Sequence, residues 1–210
     1  MTINNSKLTV LLDDTKILVC KFSESIDELY QKWWYEGLDV AEYENISSAK
    51  RKREYLCVRL AMRSMLGKEI SISYNEQGKP SLEDKSFQIS ISHSNNWVAV
   101  ISHPHRLVGI DIECPNDKIK NIYTRFLSEL EQSELNNGTD IKQLQLAWSA
   151  KEALYKIIGK QAVDFKNQLR IFSFEVKPQG EFLSQHIDTD TLYSLFYTQS
   201  SEYTLVYCRV

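Results

Sequence analysis

The chain has no paired cysteines, no long apolar run and no strong excess of either charge. Its four cysteines, Cys20, Cys57, Cys114 and Cys208, are scattered, and no C-x-x-C pair occurs. Neither a zinc site nor a disulfide framework is indicated, and the pattern fits a reducing cytosol. No segment approaches the roughly 20 apolar residues that a membrane helix needs. The opening stretch MTINNSKLTVLLDD lacks the basic start and apolar run of a signal peptide. The expectation is a cytoplasmic protein that makes no use of a membrane. A net charge of −3 over 210 residues leaves no electrostatic footprint for nucleic acid. Hydrophobic content of 42% and charged content of 25% lie in the ordinary globular range, which argues against disorder as the main state.

The elements that are present alternate between strands and helices. LTVLLDDTKILVCKF, residues 8–22, reads as one or two strands. SIDELYQKWWYEGLD follows as a short helix capped by Ser25 and stopped near Gly37. AKRKREYLCVRLAMRSMLG opens on a basic run and forms a helix that Gly67 ends. ISISYNEQGKPSL is a strand running into a turn at Gly78 and Pro80, and FQISISHSNNWVAVIS is a hairpin with Asn95 and Asn96 at its tip. In the second half, KNIYTRFLSELEQSELNN is helical in parts. QLQLAWSAKEALYKIIG is a strong helix whose apolar stripe is Leu146, Ala150, Ala153, Leu154, Ile157 and Ile158. LRIFSFEV and LYSLFYTQSSEYTLVYCRV are strands, the latter a hairpin.

Two echoes link the halves. SMLGKEISI resembles KIIGKQAVD, and SHSNNWVAVIS resembles TQSSEYTLVYC. They predict two similar α/β halves of about 100 residues each, a common domain size, placed at 1–107 and 108–210. A cleft between such halves is a usual ligand site.

The chemistry-bearing residues begin with LVGIDIECP. Read as a strand, it turns Ile110 and Ile112 to one face and Asp111 and Glu113 to the other. Two carboxylates on one face of a probable buried strand repel each other and resist leaving water. Either that face is wet, as alternating strands often are, or a hard cation sits there. Mg²⁺ takes oxygen ligands of this kind together with substrate phosphates. Glu152 in WSAKEALYK offers a third carboxylate, and it shares a helix face with Lys156 four residues on. A surface Glu–Lys pair is the plain alternative. His93 in ISHS, beside Ser92 and Ser94, and Lys79 in GKPSL both suit either an ordinary turn or a phosphate. The basic run Lys50–Arg53 opens a helix, the end at which cations are disfavoured, which hints at an anionic ligand. Ser128 and Glu131 in SELE match a capping box.

Taken in order, GKPSL, ISHS, GIDIE and WSAKEALYK resemble the motifs of the 4′-phosphopantetheinyl transferase superfamily, in its monomeric surfactin-type branch. GIDIE fits G-[IV]-D-[IV]-E, and WSAKEALYK fits W-[ST]-x-K-E-[AS]-x-x-K at every named position. The resemblance covers residues 78–156 and implies a fold, an activity and a site. The fold is α/β (α+β), with two pseudo-symmetric halves around a central cleft. The activity is Mg²⁺-dependent transfer of the 4′-phosphopantetheine arm from coenzyme A to a serine of an apo acyl or peptidyl carrier protein, with adenosine 3′,5′-bisphosphate as the other product. Mn²⁺ also suits such oxygen ligands. Fatty acid, polyketide or nonribosomal peptide synthesis would supply the carrier.

The resemblance also implies residue roles. Asp111, Glu113 and Glu152 would hold the metal against the pyrophosphate, and Lys156 would contact that pyrophosphate. Glu152, or a water on the metal, would take the serine proton. Glu131 stands where the family has a glutamate that shares metal or base duty, with the helix cap as its alternative. His93 and Ser92 would bind a coenzyme A phosphate. Lys79 and Arg53, chosen over Lys52, would meet the adenosine phosphates. Rival readings are a coenzyme A or carrier-protein binding module without transferase activity, and an unrelated Mg²⁺ enzyme acting on another diphosphate.

Overall fold

The computed structural model describes residues 6–35, 41–67, 70–159 and 163–210. The first 103 residues supply β1 (Ser6–Val10), β2 (Lys16–Lys21), α1 (Ile26–Tyr35), α2 (Ala41–Glu44), α3 (Ala49–Leu66), β3 (Ile72–Tyr74), β4 (Pro80–Leu82), β5 (Gln88–Ser94) and β6 (Trp97–His103). The rest supply β7 (Val108–Glu113), α4 (Tyr123–Phe126), α5 (Glu129–Glu134), α6 (Ile141–Ile158), β8 (Leu169–Ile171), β9 (Gln179–His186), β10 (Thr191–Gln199) and β11 (Thr204–Arg209). One antiparallel sheet runs β1-β2-β6-β5, a second runs β7-β11-β10-β9-β8, and β3 and β4 form a small ribbon. The fold is mixed α and β, as anticipated.

Local chemistry accounts for most boundaries. Ser25 and Glu28 form a reciprocal cap at the start of α1. Gly37, the stop expected for that helix, lies outside the described residues. Ser48 caps α3, and Asp140 caps α6 by accepting from the backbone of Lys142 and Gln143; each cap contributes about 1 kcal/mol. Both long helices end at a left-handed glycine, Gly67 with φ 68° and Gly159 with φ 63°. The Asn95-Asn96 hairpin is present, with Asn95 at φ 52°. LRIFSFEV is a strand only over Leu169–Ile171, and β9 follows where the sequence showed no strand. QGEFLSQH has no β-branched residue, and its buried face alternates Phe182, Ser184 and His186, so hydropathy alone hides it.

Each sheet carries one long helix on its outer face. Leu56, Leu60, Ala61 and Met65 of α3 pack on Leu18, Cys20, Val98 and Val100. Leu146, Ala150, Ala153 and Leu154 of α6 pack on Leu169, Leu195, Val206 and Cys208. The inner faces meet through Ile17, Val19, Ala99 and Ile101 on one side and Val108, Ile110, Ile112 and Leu205 on the other. Where the sheets adjoin, β5 runs beside β7 and serines at every second position bridge the gap. Ser90 Oγ accepts from the Ile110 amide at 3.2 Å, and Ser92 and Ser94 reach Asp111 and Glu113.

Helix α6 is held by two unusual features. Gly109 faces it so closely that a Cβ there would stand 2.1 Å from the Ala153 carbonyl oxygen. Behind the helix, Lys151 is wholly buried, with its ammonium 2.7 Å from each of the carbonyls of Phe126, Phe165 and Leu169 and paired at 2.7 Å with the equally buried Glu131 carboxylate. Burial draws the Lys151 pKa down to about 8, and the Glu131 charge resists that shift. Glu131 also accepts from the amides of Ser128 and Ile171, both at 2.8 Å. One ammonium therefore ties α4, α5, the segment after α6 and β8 to the helix.

Removing half of a buried pair strands the other charge. Lys151→Met should lower the unfolding free energy by about 3–5 kcal/mol in urea denaturation. Adding Glu131→Gln should restore a large part of that loss.

Candidate active site

A cleft of about 850 Å³ opens between α3 and α6, along the seam of β5 and β7. One wall is acidic. On β7 the period of two turns Gly109, Asp111 and Glu113 toward α6. On α6 the spacing of four brings Trp148, Glu152 and Lys156 into one file facing the strand. The face of β7 that could have been wet is thus covered by a helix, and Asp111 is only 4% exposed.

The carboxylates are held individually. Asp111 Oδ1 accepts from Ser92 Oγ at 2.8 Å and from Lys156 Nζ at 2.9 Å. Lys156 also donates to the Ile110 carbonyl at 2.8 Å. Glu113 accepts from Ser94 Oγ at 3.0 Å and from Trp148 Nε1 at 3.3 Å. Burial, with the Asp111 charge added, pushes the Glu113 pKa up. Burial and the same Asp111 charge raise Glu152 to about 7, against the pull of Lys156.

The opposite wall is basic and aromatic. His93 sits one position out of phase with Ser92 and Ser94, so β5 turns it toward α3, where Nδ1 lies 3.8 Å from Glu54. Burial lowers its pKa; Glu54 opposes this, and Lys156 and Arg51 add to it. The lowered pKa favours the neutral imidazole. Arg51, Tyr55 and Arg59 of α3 line the same side. Arg59, 5% exposed, lies 3.4 Å over the Tyr55 ring and pairs with Glu42 at 2.7 Å. Sequence patterning gave no signal for Arg59, because a buried arginine on an apolar stripe looks like a break in the stripe.

Asp111, Glu113, Glu152, Lys156, His93 and Ser92 therefore share one cleft. Lys79 lies at its margin, where Nζ reaches the Ile157 carbonyl at 3.4 Å and a side pocket of about 170 Å³ opens beside Gly159. Burial lowers its pKa. Two expected residues lie elsewhere. Glu131 is interior, 0% exposed, and its carboxylate is engaged by Lys151, Ser128 and Ile171. Its capping box, the alternative reading of this residue, is present. Arg53 turns away from the cleft and donates to the carbonyls of Phe22 at 2.7 Å and Glu24 at 3.3 Å. Arg51, two residues earlier on the helix, lines the cleft instead.

Asp111, Glu113 and Glu152 are the residues that could hold a cation. Among the described residues, no three acidic, histidine or cysteine side chains already converge to hold a metal. Yet Asp111 Oδ2 is buried without any partner, an expensive condition that a cation relieves. Burial first, and the Asp111 charge second, raise the pKa values of Glu113 and Glu152. An all-oxygen donor set of this kind suits Mg²⁺ or Mn²⁺.

Comparison with known proteins points to one family. Residues 107–208 match the model of the 4′-phosphopantetheinyl transferase superfamily. A Synechocystis protein provisionally named a 4′-phosphopantetheinyl transferase is 26% identical over 174 residues, covering 76% of this chain and 70% of its own length. A Haemophilus influenzae protein with the same provisional name is 34% identical over 125 residues, 52% of each chain. The Bacillus subtilis 4′-phosphopantetheinyl transferase Sfp is 34% identical over 96 residues, 44% of this chain and 42% of that protein. The match thus spans about two thirds of the first relative and about half or less of the other two. No helix among the described residues is long and apolar enough to cross a membrane.

The placement of the two arginines can be tested with inorganic pyrophosphate. Arg51→Ala should weaken its binding about two- to fivefold, the range of an exposed charge contact, in calorimetry. Arg53→Ala should leave binding unchanged and cost about 1–3 kcal/mol of stability through its lost carbonyl contacts.

Proposed function

Since the chain belongs to the 4′-phosphopantetheinyl transferase superfamily through residues 107–208, and is a transferase on that ground, we propose that it moves the 4′-phosphopantetheine arm of coenzyme A onto a serine of an apo acyl or peptidyl carrier protein. The observation that carries this reading is the cleft wall of Asp111, Glu113, Glu152 and Lys156 facing His93 and Arg51. Acidic and basic groups held apart across one opening suit a ligand that is itself anionic and binds with a cation.

In this reading, Asp111, Glu113 and Glu152 would hold Mg²⁺ or Mn²⁺. When bound, that ion neutralises charge on the pyrophosphate oxygens. The chain's own groups do the rest by placement and electrostatics. Lys156 keeps its ammonium at the Asp111 carboxylate and offers its remaining proton to a phosphate oxygen. Neutral His93 donates from its ring, with Ser92 beside it on the same strand. Arg51 and Lys79 meet the phosphates of the adenosine portion. The carrier serine oxygen forms a bond to the phosphorus that bears the pantetheine. The bond from that phosphorus to the bridging oxygen breaks, and adenosine 3′,5′-bisphosphate leaves with the electron pair. Glu152, or a water on the metal, would accept the serine proton. The two packed α/β halves favour a monomer of the surfactin-type branch, and the free cysteines favour the cytoplasm.

The test is the intact mass of an apo carrier protein incubated with this chain, coenzyme A and Mg²⁺. The carrier should gain one phosphopantetheine, and EDTA should abolish the gain. Asp111→Ala and Glu152→Ala should each slow transfer by about 10²–10³-fold or more while circular dichroism stays unchanged. No gain on acyl or peptidyl carriers, with coenzyme A still bound, would replace this reading with that of a binding module.

A further inference from the structure

Trp148 does more than fill space. Its indole N–H donates to Glu113 Oε1 at 3.3 Å, while Ser94 Oγ donates to Glu113 Oε2 at 3.0 Å. The two donors come from opposite halves of the molecule, one from α6 and one from β5. Both are neutral, so they orient the carboxylate without neutralising it. Each carboxylate oxygen keeps a second lone pair for another partner. Ser94 is itself fixed, because its Oγ accepts from the Cys114 amide at 3.1 Å.

The indole is seated with equal care. Its ring packs edge-on to Phe126 at 5.1 Å and against Phe165 at 5.8 Å. The carbonyls of those two residues are among the acceptors of buried Lys151. The ammonium thus pins the backbone of both aromatic neighbours, they pin the indole, and the indole pins Glu113. Asp111 is arranged differently. Its Oδ1 accepts from both the Ser92 hydroxyl and the Lys156 ammonium, and its Oδ2 has no partner. One carboxylate offers an empty oxygen, and the other offers a fixed direction.

We infer that Trp148 and Ser94 are positioning residues that aim the Glu113 carboxylate at the cation. This rests on the function proposed above and extends it to residues that touch neither metal nor substrate. Partners of this kind govern metal affinity nearly as strongly as the ligands do. Trp148→Phe keeps the aromatic packing and removes only the N–H. Ser94→Ala removes only the hydroxyl.

The experiment is Mn²⁺ binding to the full chain, followed by the loss of the free-ion paramagnetic resonance signal. Each variant should bind about tenfold more weakly than the unaltered chain, with an unchanged melting temperature for Trp148→Phe. In the transfer assay, the metal needed for half-maximal rate should rise in parallel, and the rate at saturating metal should recover. The Trp148 indole N–H resonance, identified by its absence in Trp148→Phe, should shift as Mg²⁺ is added. Unaltered Mn²⁺ affinity in both variants, or an indole signal indifferent to Mg²⁺, would overturn the inference. So would a lack of Mn²⁺ binding by the unaltered chain. Mass gain on the carrier is scored separately, so failure of the transferase reading is distinguishable from failure of this one.

Discussion

A helix can lie against a strand as closely as α6 lies on β7 only where the strand offers no side chain. Gly109 supplies that gap, since any Cβ there would collide with the Ala153 carbonyl. The rest of the site follows from this approach. With the backbones close at Gly109, the next residues on the same strand face, Asp111 and Glu113, come under the file of Lys156, Glu152 and Trp148. Lys156 then reaches both Asp111 and the Ile110 carbonyl, and Trp148 reaches Glu113. A helix held farther off would leave those carboxylates in water.

The arrangement carries its own cost. Three carboxylates on one half-buried wall repel one another, and only one ammonium answers them. The protein tolerates this because the strain is local. The stabilising interactions lie behind the helix, where Lys151 and Glu131 satisfy each other and several backbone groups with no exposure to solvent. Fully satisfied buried polar networks of this kind hold elements in one register. The incomplete network faces the cleft, and the complete one faces the core.

Much of the architecture was legible because it rests on short-range rules. Helix α6 shows an apolar stripe at helical spacing, an Asp cap and a Gly stop. The Asn95-Asn96 hairpin and the Ser128–Glu131 box need only four neighbouring residues each. The alternation of GIDIE correctly separated Ile110 and Ile112 from Asp111 and Glu113. Less legible was anything whose partner is distant in the chain. Arg53 and Arg51 are equivalent as letters in a basic run, yet 100° per residue of helix sends one to the Phe22 carbonyl and the other to the cleft. Glu131 matched a family position and a helix cap at once, and its burial beside Lys151 shows only in the fold. Strand β9 was invisible because its pairing with β10 supplies an order that its own residues do not announce.

The amino-acid sequence by itself determined the alternation of strands and long helices, the caps and turns that bound them, and the set of acidic and basic residues that one cleft would need. Those depend on neighbours within a turn of helix or a step of strand. Only the tertiary structure decided which charges would be buried together, which would face the opening, and which were committed to holding the fold. Desolvation and Coulomb energies depend on what surrounds a group in space, and for Asp111, Glu113, Glu131 and Lys151 those surroundings come mostly from residues far away in the chain.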